Sequence, residues 1–237
     1  MHPFSDEEIL EVWEAGRERH ELDRALTLLA AASPESSYDE LAELSIGERD
    51  ARLLDLRTSA LGPHAEGSDE CPECGARIEL FLDTREFVTP RERVASSEME
   101  ANGSRVRFRM PNSRDLGEAA GAPDAAHALR LLVERCVIDF QNDAQTLDAE
   151  SVQALGDAML QADPHAEITL ALACPDCGHR WETLFDIAAF FWDELAAQAR
   201  RLLGEIDAIA RAYGWSEREI LRLSSRRRQT YLELLAT

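Results

Sequence analysis

The 237-residue sequence predicts an α+β fold: a mostly helical protein around a split four-cysteine zinc ribbon, with a long insertion between two knuckles and a C-terminal helical hairpin. Three observations carry this expectation. Two C-P-x-C-G motifs stand far apart, at 71–75 and 174–178. Alternating apolar runs flank them, the period of strands. Elsewhere apolar residues recur at spacings of three and four, the period of amphipathic helices.

The two motifs come first because they bear the chemistry. A C-x-x-C turn aims two thiolates at one point, and the Gly that follows permits the tight backbone. Two such turns complete a tetrahedral site, so Cys71, Cys74, Cys174 and Cys177 are the expected ligands of one structural Zn2+. Ninety-nine residues separate Cys74 from Cys174, so a long segment must leave the ribbon and return to it. The competing readings are a redox dithiol and two independent half-sites. A thioredoxin-like C-x-x-C opens a helix after a strand, whereas both pairs here lead into alternating strands. Four thiolates leave no coordination position open for catalysis. His179 reads as a loop residue and Cys136, on an apolar helix face, as core.

Residues 1–66 read as an N-terminal helical region. Ser5 with Glu8, Ser37 with Glu40 and Ser45 with Glu48 match the capping-box pattern. Gly62-Pro63 breaks the helices, and HAEGSDE reads as a polar linker. Residues 67–111 are the first half of the ribbon with its strands, RIELFLD and RVRFRM; Val106, Phe108 and Met110 face one way, Arg105, Arg107 and Arg109 the other. Residues 112–163 form a helical insert, in which Leu129, Leu132, Val133 and Cys136 share a face. Residues 164–186 complete the ribbon. Residues 187–237 form a C-terminal helical interaction module. Its long helix runs from about Phe191 to Tyr213 and ends at Gly214; Ser216 with Glu219 caps a short helix, and Ser225 is placed to cap the last.

Composition narrows the function. The formal net charge is −21, and the field of such a chain repels nucleic acid and anionic lipid. From Arg200 to Thr237 eight Arg face five Asp/Glu, a local excess of +3 that leaves −24 on residues 1–199. Every Lys/Arg position is Arg, the side chain suited to planar, bidentate pairing. No apolar run approaches the roughly 18 residues that span a bilayer, and the acidic N-terminus is unlike a signal peptide, so a cytoplasmic protein is expected. No Ser/His/Asp grouping, phosphate loop or H-E-x-x-H is present, and an enzyme is not expected.

Three stretches together resemble the baseplate (hub) assembly proteins of contractile phage tails, most closely the version in extracellular contractile injection systems. They are HELDRALTLLAAASPESSYDELAELSIGERDARLLDLRTSALGP at 20–63, the knuckles CPECG and CPDCGH-W-E, and IDAIARAYGWSEREILRLSSRRRQTYLELL at 206–235. The resemblance implies a role in building or completing a baseplate, through contacts with other baseplate or hub proteins, and carries over no catalytic residue. The residues agree in kind. Phe190, Phe191 and Trp192 are consecutive and cannot all face one core, and clustered aromatics and Arg mark interface hot spots. Trp215, Arg226, Arg227, Arg228 and Tyr231 are the expected partner-binding residues. The alternative function is a zinc-ribbon nucleic-acid-binding or regulatory protein, which the arginines at 105–109 and 226–228 would serve.

Overall fold

The computed structural model describes residues 4–87, 96–101, 103–140 and 147–236. Residues 88–95, within the predicted first ribbon half, and 141–146, within the predicted helical insert, lie outside them.

Most helices gather into one body. α1 (Asp6–Gly16), α2 (Glu21–Ala32), α3 (Tyr38–Ala42) and α4 (Ile46–Leu61) pack with α8 (Ile187–Tyr213), α9 (Glu217–Leu221) and α10 (Ser225–Leu235). α8 has 27 residues and so is about 40 Å long. Its inward stripe, Phe191, Leu195, Ala199, Leu202, Ile206 and Ile209, meets Leu28, Leu29, Leu53 and Leu54 of α2 and α4. Capping follows the sequence closely. Ser5, Ser37 and Ser216 each close a capping box. Ser45 caps α4, but the Glu48 carboxylate pairs with Arg52 at 2.6 Å instead of completing the box. Ser224, not Ser225, caps α10: its hydroxyl accepts from the Arg227 N–H, and Ser225 is the first helical residue.

The three consecutive aromatics are all used within the chain. Phe191 stacks on Phe4, Trp192 lies under the Arg24 guanidinium, and Phe190 tilts against Phe185. Adjacent residues of a helix project about 100° apart, so one ring reaches each of three neighbouring elements.

A second core lies in the insert. β3 (Ser97–Ala101), β4 (Ser104–Phe108) and β5 (Val137–Phe140) form an antiparallel sheet in that order. Val106, Phe108 and Met110 pack beneath it on Val133 and Cys136 of α6 (Ala125–Cys136) and on Leu155 and Met159 of α7 (Ala149–Ala162). RVRFRM therefore packs with the insert's helices rather than the ribbon hairpins, and the segment expected as a helical insert also contains a strand, β5. α6 gives way to β5 at Val137 and Ile138, β-branched residues that favour strand.

Asp115, buried on α5 (Ser113–Ala119), ties this unit together. It accepts from Arg109 on both oxygens, from Arg135 Nε at 2.9 Å and from the Asn112 N–H at 3.0 Å. Burial pushes its carboxyl up, but these donors outweigh that and hold it below the usual range. The insert meets the body at the start of α4, where the Ile46 N–H donates to the Pro111 carbonyl and the Gly47 N–H to Asp163 Oδ2, both at 2.9 Å.

The remaining strands form two separate hairpins. β1 (His64–Glu70) pairs with β2 (Arg77–Asp83), and β6 (Thr169–Ala173) with β7 (Arg180–Leu184), all antiparallel. The segment HAEGSDE is thus β1, not a linker. Its side chains are polar because one face is open to solvent, and its pairing comes from β2 rather than from apolar alternation.

Tight packing at Gly16 gives a direct check. A Cβ there would stand 2.5 Å from Trp192 Cη2, inside the body's core. Ala favours helix over Gly by roughly 1 kcal/mol, but overpacking costs about 1–3 kcal/mol. Gly16→Ala is therefore expected to lower stability in urea titrations; a gain would show that the Trp192 ring has room to move.

Candidate metal centre and C-terminal surface

Each knuckle is the turn of its own hairpin. In the first, the Cys71 N–H donates to the Ala76 carbonyl and the Gly75 N–H to the Cys71 carbonyl, both at 2.9 Å. In the second, the Cys174 N–H donates to the His179 carbonyl at 2.8 Å and the Gly178 N–H to the Cys174 carbonyl at 3.0 Å. Gly75 and Gly178 have φ of 71° and 75°, left-handed values that a side chain disfavours.

The tips of the two hairpins meet. Cys71 Sγ lies 3.7 Å from Cys177 Sγ, and Cys74 Sγ 3.6 Å from Cys174 Sγ. All four sulfurs fall within 4.8 Å of one another. Disulfides require about 2.05 Å. A tetrahedral ion bonded to sulfur at about 2.3 Å would hold the sulfurs about 3.8 Å apart. The set therefore fits one four-coordinate, all-sulfur metal ion, with Cys71 and Cys174 buried and Cys74 and Cys177 exposed. The thiols also titrate unequally. N–H groups of Cys177 and Asp176 help bring Cys174 down to about 7. At Cys74 the Ala76 N–H pulls down, but bonds with Cys177 and Cys174 outweigh it and the thiol rises to about 12. His179 is a loop residue whose ring stacks at 6.0 Å on Trp181.

Among the contacts that bring the hairpins together are two polar ones that are not visible in local sequence. Trp181 Nε1 donates across to Asp69 at 3.2 Å. At the base, Arg57 of α4 donates to both carboxylate oxygens of Glu194, at 2.9 and 2.6 Å, and to the carbonyls of Gly62 and His64. α4 leads into β1 and β7 leads into α8, so this one guanidinium sets both hairpin roots. Its partner Glu194 is 137 positions away, which leaves no motif to find.

Cys136 stands apart, fully buried in the insert's core. Burial first, then the Asp115 charge, push its thiol up to about 12, so it is not a nucleophile at neutral pH. Of the Arg105/Arg107/Arg109 stripe, Arg109 is held by Asp115, whereas Arg105, 3.9 Å from Glu98, and Arg107 remain exposed.

A family model described as T4 bacteriophage base plate protein matches residues 4–192. The chain belongs to this baseplate family. No curated protein and no solved structure matches it. The matched span takes in the four clustered cysteines and ends within α8, so most of the C-terminal module of this baseplate protein lies beyond it. Among the described residues no helix is long and apolar enough to cross a membrane.

In that module Tyr213, Trp215 and Tyr231 form a three-ring cluster, with centroids 5.0–5.3 Å apart. Trp215 is half-buried and packs back onto its own hairpin. The arginine run divides. Arg226 and Arg227 are exposed, and no ion pair holds either among the described residues. Arg228 corrects the expectation of a partner-facing run. It is buried, donates to Glu205 at 2.9 Å, Asp6 at 2.6 Å and the Leu223 carbonyl, and so clamps α10 to α8 and to the start of α1. The helical turn places 228 inward and 226–227 outward, a division that a three-residue run does not reveal.

The run should therefore separate in stability measurements. Arg228→Met strands two carboxylates, and breaking a buried pair costs roughly 3–5 kcal/mol; Asp6 keeps 29% exposure, so the loss should fall toward the lower end. Arg226→Ala and Arg227→Ala should stay within about 0.5 kcal/mol of the parent. Equal losses in denaturant titrations of all three variants would contradict the clamp.

Proposed function

We propose that this chain is a non-enzymatic structural or assembly protein in the baseplate of a phage-tail-like contractile injection system. It works through protein–protein contacts and carries one structural Zn2+ in a split ribbon formed by the two hairpins. The observation that carries this reading is the baseplate family match over a span containing four cysteines that converge at one point. Zn2+ suits a tetrahedral all-thiolate set, and the closed set leaves no position for a substrate. Its work here is to staple two hairpins that begin about a hundred residues apart.

Contacts with other baseplate or hub proteins are assigned to the C-terminal module, through Trp215, Tyr231, Arg226 and Arg227. The two outward arginines sit in the first turn of α10, where positive charge opposes the helix dipole. An acidic or carbonyl-rich surface on a neighbour would offset that cost with bidentate bonds. Arg228 serves the same face from inside, by holding α10 in place.

Two measurements test this reading. Cys74→Ser and Cys177→Ser should each lose zinc by mass spectrometry. Structural zinc contributes roughly 10–16 kcal/mol in small finger peptides, but less is at stake here because the body keeps its own core, so helical circular dichroism should largely survive. Unchanged zinc content in both variants would overturn the site. Arg226→Glu combined with Arg227→Glu should fold and keep zinc yet fail to support sheathed particles under the electron microscope; normal particles would remove these residues from docking.

A further inference from the structure

A groove of about 430 Å3 follows the seam where the insert meets the body and the foot of the β6–β7 hairpin. That volume lies in the roughly 300–1,000 Å3 range of ligand clefts. Its walls are apolar, with Ile46, Leu129, Leu132 and Ile168 joined by Leu160 and Leu184. The last two are 40% and 63% exposed, so a wide apolar surface faces outward.

The polar lining is lopsided. Asp50, Asp163 and Asp186 border the groove, with Asp157 and Glu167 beside them. The cationic candidates are Arg49 and His165. Arg49 Nε is already committed to Asp50 at 2.7 Å, and His165 Nε2 lies 2.9 Å from the Phe87 carbonyl. Asp50 registers the imbalance: burial pushes its carboxyl up to about 6, Arg49 pulls it down, and Asp186 and Asp163 add to the upward push. Of these carboxylates only Asp50 is buried, and Arg49 pairs with it; Asp163 accepts from the Gly47 N–H, Asp186 caps α8, and Asp157 and Glu167 are exposed, so five acidic groups face one guanidinium along the groove.

We infer that this groove receives a basic-and-apolar segment of a different particle component. Aliphatic side chains of that segment would lie along Leu160 and Leu184, and an Arg or Lys would reach the aspartates. A second copy of this chain is the poorer occupant. Each copy carries −21, with −24 on residues 1–199, the stretch that holds every groove residue, so copies repel while a basic partner is drawn in. The partner's place in the particle rests on the baseplate reading; the groove's chemistry does not.

The test uses the full-length zinc-loaded chain and two synthetic peptides, acetyl-Leu-Leu-Arg-Leu-amide and its Glu counterpart, titrated while leucine methyl signals are followed by NMR. The Arg peptide should shift the Leu160 and Leu184 methyls saturably, and the Glu peptide should bind about tenfold more weakly or less, since like charges oppose each other across an interface. Leu184→Arg alters an exposed position, so the variant should fold, and its own cation should abolish binding. No shift at either leucine, equal affinity for both peptides, or undiminished binding by the variant would each overturn the inference. A chain that binds the Arg peptide yet proves dispensable for particles would keep the groove and lose the baseplate role.

Discussion

The Arg57–Glu194 pair is the interaction on which the rest of the architecture depends. Its guanidinium is 2% exposed and meets a bidentate carboxylate and two backbone carbonyls. A buried cation is tolerable only when its donors are matched this fully. The pair joins the last turns of α4 to the second turn of α8. β1 starts where α4 ends, and α8 starts just after β7, so the two hairpins rise from one root. Four sulfurs converge at their tips because the bases are already together. Lys at position 57 would carry the charge but not the planar fork that serves a carboxylate and two carbonyls at once.

The insert is held together, and held to the body, in a different way. It has its own sheet, its own apolar layer and its own buried carboxylate, Asp115, fed by two arginines. It meets the body through directional bonds along α3 and the start of α4, where Asn112 and Arg114 reach Glu43 and Asp39 and Asp163 takes the Gly47 N–H, rather than through a shared apolar layer. A junction of that kind fixes orientation without filling the space beside it, which is why a groove remains along the seam. Gly47 is needed there: a Cβ would fall 2.0 Å from Asp163 Oδ1.

Charge distribution connects these features to assembly. Arg49, Arg57, Arg109 and Arg228 are buried or half-buried and paired inside the chain. The basic groups left outward at Arg226 and Arg227 therefore stand on a strongly acidic protein, beside a ring cluster that presents Tyr213 to solvent. The surface is thus basic at the first turn of α10 and acidic along the insert seam.

The sequence by itself determined the elements whose cause is local. Caps at Ser5, Ser37 and Ser216, the long helix closing at Gly214, and the strands after each knuckle follow from side-chain hydrogen bonding, left-handed glycine and periodicity, all of which act within a few residues. The four converging cysteines were legible for the same reason, since each knuckle declares two thiols and half a site implies the other half. Tertiary structure decided what depends on distant partners. HAEGSDE is a strand because β2 pairs with it, RVRFRM joins the insert because α6 and α7 cover it, and Arg228 turns inward because Asp6 and Glu205 await it from 222 and 23 positions away. Polar and charged side chains are satisfied by water or by protein alike, so their sequence pattern carries no record of which one they meet.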